Sequence, residues 1–445
     1  MKRMLGTWLG AVCGLGLVGC GAAAPGEMAS DAAGAAFAPP PAAMAPAADR
    51  EAATPEAAAS PGRTSSAPTM AEAMTSVRAG EWDDNANYRD FLGYVGREAR
   101  LGIDKMDVGQ RRFLVALDAN GGGIPSCAVT VTDAQQRSTR LVTSASGRAL
   151  FFPALMGLSG GKFTATSSCL KGGAAKATFE MADQDGAVPL VFQGKRGDVA
   201  KPAIDVLFVL DTTGSMSEEI EGVKDTLRAV VGKLDGRASV RAGVVEYKDR
   251  TDDLRTKVYP MTRDLSALSN SIKGLSASGG GDTPEDLNSA LAVAMRDVAW
   301  DDQAVARVAF VIADAPPHLD YDNVPKYSES AKKAAQRGVK LFTVSASGMD
   351  DMGQAVFRQL AQATGGTNMF VLRGGAGPQS TGAGDAKSSC GTTHQNYSSG
   401  NLDELIVKKI ALELASLKAN PMQIPGMGED EKAKPCEKRI MLVAD

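Results

Sequence analysis

The chain has 445 residues, 22% of them charged, with a net charge of −4. That length suggests about two or three domains. The mild charge and the lack of any long Lys/Arg run exclude a nucleic-acid footprint.

The N-terminus begins Met1-Lys-Arg-Met and continues with an apolar, Gly-rich stretch from Leu5 to Val18. This stretch is too short for a comfortable membrane span and reads as a secretory signal over residues 1–19. It ends in Leu17-Val-Gly-Cys20, which resembles the lipobox of bacterial lipoproteins. The resemblance implies cleavage before Cys20, lipidation of its thiol and attachment to a membrane through that lipid. Gly at position 21 implies the outer membrane by the known sorting rule. The expected location is therefore the bacterial cell envelope.

Residues 20–80 alternate Ala and Pro with isolated charges. So few large apolar groups cannot offset the entropy of ordering, and a disordered tether is expected. As a coil it would span roughly 40–50 Å, and in extended polyproline form about 190 Å.

A folded part is expected from about residue 81, with a short amphipathic helix around Tyr88–Tyr94. From Arg111 to residue 200, short apolar runs alternate with turn signals: Phe113–Asp118, Cys127–Asp133, Arg140–Ser144, Gly147–Phe152, Lys162–Ser167 and Ala177–Met181. This pattern predicts a small β-sandwich over 81–200. Its order of turns and strands resembles carboxypeptidase regulatory-like domains, with an Ig-like spacer as the alternative.

Residues 203–418 read differently. Apolar strands at Asp205–Leu210, Val240–Tyr247, Val308–Ala313, Lys340–Ser345 and Asn368–Val371 alternate with helical patterns. Ile220, Val223, Leu227, Val230 and Leu234 share one helical face, as do Leu287, Leu291, Ala294 and Val298. The alternation predicts an α/β fold, a doubly wound parallel sheet with helices on both faces. Residues 373–400 are Gly/Ser/Thr-rich and read as a loop, Leu402–Leu417 as a last helix, and 419–445 as an irregular tail.

Four cysteines remain beyond the signal and Cys20. In an exported protein, Cys127, Cys169, Cys390 and Cys436 suggest two disulfides, with Cys127–Cys169 and Cys390–Cys436 the preferred pairing of three. Zinc is not expected, because no CxxC is present and only His318 and His394 are available.

The feature richest in chemistry is Asp211-Thr-Thr-Gly-Ser215, where an apolar strand ends in a carboxylate and two hydroxyls at alternate positions. Two further segments place oxygens at element ends: Gly279-Gly-Gly-Asp-Thr-Pro-Glu-Asp286 and Phe310-Val-Ile-Ala-Asp-Ala-Pro-Pro-His318. In this order they resemble the von Willebrand factor type A family and its metal-ion-dependent adhesion site. By that resemblance Asp211, Thr213 and Ser215 are direct metal ligands, and Asp314 acts through water. The second segment is similar to the hemicentin and integrin-β form, which implies Glu285 at the ion with Asp282 beside it or at a neighbouring cation. The commoner family form implies Thr283 instead. Glu218 and Glu219 either hold a second ion or simply favour a helix N-terminus. His318 reads as a structural residue beside the site, and His394 is assigned no role.

The expected cofactor is a divalent cation, Mg²⁺ first, with Ca²⁺ or Mn²⁺ as alternatives. The expected function is binding of a protein ligand through one of its exposed acidic side chains, without catalysis. Two alternatives stand beside it: an envelope scaffold that binds through the sandwich, and a metal-dependent hydrolase.

Overall fold

A computed structural model describes residues 77–170, 173–182, 185–234, 239–346, 348–371 and 398–430, all within one unit of the chain. Two architectures are present: a mostly parallel α/β sheet and a pair of small antiparallel-rich sheets.

The chain enters through the larger sheet. β1 (Arg78–Trp82) lies between β14 (Asn368–Val371) and β15 (Ser398–Asn401), antiparallel to both. The sheet order is β11-β10-β9-β12-β13-β14-β1-β15. Its centre is parallel: β10 (Ser239–Tyr247), β9 (Ala203–Asp211), β12 (Ala306–Ala313), β13 (Val339–Ser345) and β14. β11 (Thr256–Thr262) adds an antiparallel edge.

Strands covered on both faces read as continuous apolar runs, as in Val308–Ala313, where every residue is buried. Successive side chains of β9 point to opposite faces. Ile204, Val206, Phe208 and Leu210 pack under α2 (Ile220–Leu234), α3 (Leu265–Lys273) and α7 (Leu402–Ala415). Leu207 and Val209 pack under α1 (Tyr88–Arg97), α4 (Leu287–Arg296), α5 (Tyr327–Arg337) and α6 (Asp351–Thr364). The doubly wound sheet expected from the alternation is present. A 3₁₀ turn at Gly214–Glu218 delays the start of α2 to Ile220.

The second architecture faces β5-β2-β8 against β4-β3-β6-β7. It comprises β2 (Arg112–Leu117), β3 (Ala128–Asp133), β4 (Ser138–Val142), β5 (Arg148–Phe151), β6 (Lys162–Ser167), β7 (Ala175–Glu180) and β8 (Gly186–Val191). Leu114, Val129, Val131, Phe151, Phe163 and Leu190 fill the space between the sheets. Cys127 and Cys169, at the start of β3 and just past β6, are joined by a disulfide with their Cα atoms 5.2 Å apart.

The expected domain limits differ from the fold in two places, at residue 81 and at the end of the Gly/Ser-rich loop. The division at residue 81 falls inside the α/β unit, because β1 completes its sheet and Phe91, Tyr94 and Val95 of α1 bury in its core. Asp84 fixes the junction through a buried ion pair with Arg358 of α6 at 2.6 Å, and the guanidinium sits 3.7 Å above the Tyr94 ring. The end of the Gly/Ser-rich loop, from Ser398, is strand β15. The described part of the tail, residues 419–430, is held against the sandwich. Arg148 donates to the carbonyls of Asn420, Pro421 and Gln423. Arg111, buried against Asp185, donates to the Gly426 carbonyl. The signal, Cys20, the tether, Cys390 and Cys436 lie outside the described residues.

Candidate metal centre

In a doubly wound sheet the loops at the carboxyl ends of the strands converge. Here Asp211 ends β9, Asp314 directly follows β12, and Asp249 lies just past β10. Thr213 folds back on the first carboxylate. Its backbone N–H and its Oγ1 donate to Asp211 Oδ1 at 2.9 and 2.7 Å. Ser215 Oγ lies 3.1 Å from Thr213 Oγ1 and donates to Asp314 Oδ1 at 3.0 Å. The Tyr247 hydroxyl donates to Asp211 Oδ2 at 3.3 Å. Asp211, Thr213, Ser215 and Asp314 thus form one continuous chain of oxygens. Asp211 and Thr213 are fully buried, whereas Ser215 is exposed.

The Gly-rich segment docks on the first through backbone bonds. Gly214 N–H donates to the Gly279 carbonyl at 2.8 Å, and Ser278 N–H to the Thr212 carbonyl at 3.1 Å. The buried Lys248 ammonium joins both segments through the Thr212 and Ser278 carbonyls. Gly280 has φ +65°, and a Cβ there would lie 2.7 Å from Glu285 Oε1 and 3.1 Å from Thr213 Cβ. Only glycine leaves room for the loop and the carboxylate together.

The third segment meets Glu285 through its backbone. Glu285 N–H donates to the Pro316 carbonyl and His318 N–H to the Glu285 carbonyl, each at 3.0 Å. Asp286 does a different job. It caps α4 by accepting from Ser289 N–H and pairs with Arg255. Glu285 itself is 2% exposed, with its carboxylate in hydrogen-bonding reach of Thr213 and its Oε2 without a hydrogen-bond partner.

The electrostatics follow from this crowding. Burial, then the charge of Asp314, pushes the Asp211 carboxyl up to about 7. Burial, then the charges of Asp211 and Asp249, pushes Glu285 up to about 8. Burial also raises Asp314. Carboxylates that hinder one another's ionisation are what a divalent cation relieves. Every donor is an oxygen, and Glu285 Oε2 is a buried acceptor still lacking a partner. These residues fit a hard divalent cation.

The structure brings together Asp211, Thr213, Ser215, Glu285 and Asp314 from the expected set. Thr283 is exposed, one residue before Pro284. Asp282 is also exposed, and its carboxylate groups with Asp249 and His318, ligand atoms within 4.8 Å of one another. Glu219 is buried at the end of the 3₁₀ turn, and the side chain of Glu218 lies outside the described residues. Sequence reasoning missed Tyr247, Lys248, Asp249 and Asp252. Asp252 accepts from Gly280 N–H at 2.9 and 3.0 Å and so aims the Gly-rich loop. The signal that could have found them is positional: all sit at or just past the carboxyl end of β10.

Comparison with known proteins finds relatives that match part of this chain. An ariadne-like RING finger protein of Acanthamoeba polyphaga mimivirus is 33% identical over 116 residues, covering 26% of this chain and 11% of that protein. The alpha-protein kinase vwkA of Dictyostelium discoideum is 27% identical over 159 residues, covering 35% of this chain and 24% of that protein. The chain therefore spans about a tenth and about a quarter of the curated relatives it matches. Among solved structures, BatB from Bacteroides thetaiotaomicron aligns with TM-score 0.34 and 16% identity, covering 48% of this chain and 99% of that one. Proximal thread matrix protein 1 from the mussel byssus aligns with TM-score 0.29 and 15% identity, covering 35% and 41%. Type A domains commonly mediate protein–protein interaction and often bind a divalent metal. Residues 205–375 match that family, so the chain carries a von Willebrand factor type A domain.

Proposed function

We propose that the chain is a lipid-anchored protein of the bacterial cell envelope that binds a protein ligand through a divalent cation at the mouth of the type A sheet. Asp211, Thr213, Ser215 and Glu285 would hold the ion, with Asp314 bonded behind Ser215. When bound, the ion supplies a coordination position for an acidic side chain of the partner. Mg²⁺ suits an all-oxygen set that keeps water or a partner group as a ligand.

The observation that carries the reading is the cluster of buried, mutually repelling carboxylates with Glu285 Oε2 left without a hydrogen-bond partner. The protein's own residues do the positioning. Thr213 holds the Asp211 carboxylate in one orientation, and the glycine loop keeps Glu285 close to it. Ser215 is the exposed member, so a partner approaches from its side. The lipobox-like Leu17–Cys20 and the Ala/Pro-rich stretch supply the anchor and tether in this reading.

The test is capture from an envelope extract with wild type and Asp211→Ala, each with Mg²⁺ or chelator. Prey seen only with wild type and Mg²⁺ supports the reading. The same prey in every condition sinks it. Prey lost on chelation but retained by Asp211→Ala would move the contact elsewhere on the chain. Divalent-dependent turnover of ester, peptide or phosphoester substrates that vanishes in Asp211→Ala would replace binding with hydrolysis.

A further inference from the structure

Beside the oxygen-only centre lies a group of different chemistry. Asp249 follows β10, Asp282 sits in the Gly-rich loop, and His318 follows β12. One ligand atom from each lies within 4.8 Å of the other two. His318 is held rigidly. Its backbone N–H donates to the Glu285 carbonyl, and its ring stacks on Tyr321 with centroids 3.8 Å apart. The Arg250 guanidinium lies 3.7 Å from the Tyr321 ring centroid, and the Tyr321 hydroxyl donates to both oxygens of Asp249 at 2.8 and 2.9 Å.

The tautomer follows from the hydrogen bonds. His318 Nδ1 lies 2.8 Å from Asp320 Oδ1, and an ionised carboxylate only accepts, so Nδ1 carries the hydrogen. In the neutral ring Nε2 is then a lone pair. That atom is buried, on a side chain only 8% exposed, and makes no hydrogen bond. The nearest carboxylate oxygen it faces, Asp249 Oδ1, is 3.7 Å away. A proton on Nε2 would meet only Asp249 Oδ1 at 3.7 Å, too long for a hydrogen bond, whereas a metal ion would bond the lone pair and the facing carboxylates together. A carboxylate that holds the far nitrogen of an imidazole is the usual support of a metal-ligating histidine. Asp282, exposed to solvent, gives the ion a way in.

We propose that Asp249, Asp282 and His318 form a second divalent-cation site, separate from the first, that takes a borderline transition ion of the Zn²⁺ class. Imidazole favours such ions over Mg²⁺, and three protein ligands leave a position open to water or a partner. The ion ties the ends of two strands to the loop that carries Glu285. Donor chemistry then sorts the two ions: a hard one to the oxygen-only centre and a softer one to this site.

The test is Zn²⁺ titration calorimetry on the full-length, untagged, chelator-stripped chain in excess Mg²⁺, with Co²⁺ visible absorption as a second readout. Wild type should bind one tight Zn²⁺. His318→Gln and Asp282→Asn should lose it, and the exposed Asp282 is the safeguard if the histidine variant fails to fold. Asp320→Asn, which alters only the partner of Nδ1, should weaken Zn²⁺ roughly 10–100-fold. His394→Ala, at the only other histidine, should change nothing. Asp211→Ala should lose Mg²⁺ yet keep Zn²⁺, so failure of the first centre is distinguishable from failure of the second. No tight Zn²⁺ in wild type, or unchanged Zn²⁺ binding in Asp282→Asn, overturns the proposal.

Discussion

Asp211→Asn should stabilise the metal-free chain while abolishing its response to Mg²⁺. The Asp211 carboxyl is fully buried, and its pKa rises from 3.8 to about 7. Between those values the folded chain keeps a proton that the unfolded chain has released. Stability therefore falls as pH rises through that window and is lowest above about 7. Glu285, raised from 4.5 to about 8, acts in the same direction over a slightly higher window. At about 1.4 kcal/mol per pH unit, ionised Asp211 costs the metal-free fold about 4 kcal/mol at pH 8. An amide removes that charge. Its oxygen still accepts from Thr213, and one N–H faces the Tyr247 hydroxyl, which rotates to accept. Its second N–H gains no acceptor among the groups that bond Asp211 and costs roughly 1–3 kcal/mol. The net expectation is about 2 kcal/mol of added stability in chelator at pH 8, shrinking toward zero or below at pH 5. Urea unfolding of both proteins at both pH values, with chelator or Mg²⁺, measures all of it. Wild type should gain stability with Mg²⁺ and the variant should not. If Asp211→Asn is less stable than wild type in chelator at pH 8, the crowded-carboxylate argument is wrong.

Other expectations follow from single contacts. Asp84→Ala strands the buried Arg358 guanidinium and should cost about 3–5 kcal/mol in urea unfolding. Arg358→Met in the same chain should recover part of that loss. Cys127→Ser opens a crosslink of sequence separation 42 and should cost about 2–4 kcal/mol in urea unfolding, and reductant should cost wild type at least as much. Gly280→Ala forces a left-handed residue, at roughly 1–2 kcal/mol, and crowds Glu285. Calorimetry should show Mg²⁺ affinity reduced about tenfold with the far-UV spectrum unchanged, and undiminished affinity would remove the loop from the site.

The parallel sheet was legible because its strands are covered on both faces and read as apolar runs between helical periodicities. The first-segment oxygens were legible because Asp211, Thr213 and Ser215 lie within five residues of one another. What was not legible is what distance hides. β1 is short and contains Gly80 and the charged Arg78 and Glu81, so nothing local marks it as part of a sheet whose other strands begin more than a hundred residues later. β11 is an edge strand with mixed burial and a proline, and so it lacks the apolar run that marked its neighbours. The choice between Thr283 and Glu285 depended on which side chain turns inward, and that is fixed by backbone bonds to Pro316 and His318 rather than by the segment itself. The grouping of His318 with Asp249 and Asp282 was hidden for the same reason, because Asp249 comes from a different strand end.

The placement of β1 has a consequence for how this chain is made and loaded. The sandwich is not a bead threaded ahead of the α/β domain but an insertion within it. β1 leaves the ribosome early, while its partners β14 and β15 emerge near the end of synthesis. The sandwich can therefore finish folding while the strand that precedes it still waits for neighbours, and the sheet closes last. Among the described residues β15 pairs with β1 alone, so a truncation at residue 203 would orphan one strand and open the edge of another. A pull applied at Val77 would likewise reach the type A sheet first. Backbone hydrogen bonds on both sides of β1 would carry it in shear, and the sandwich would be left out of the line of force.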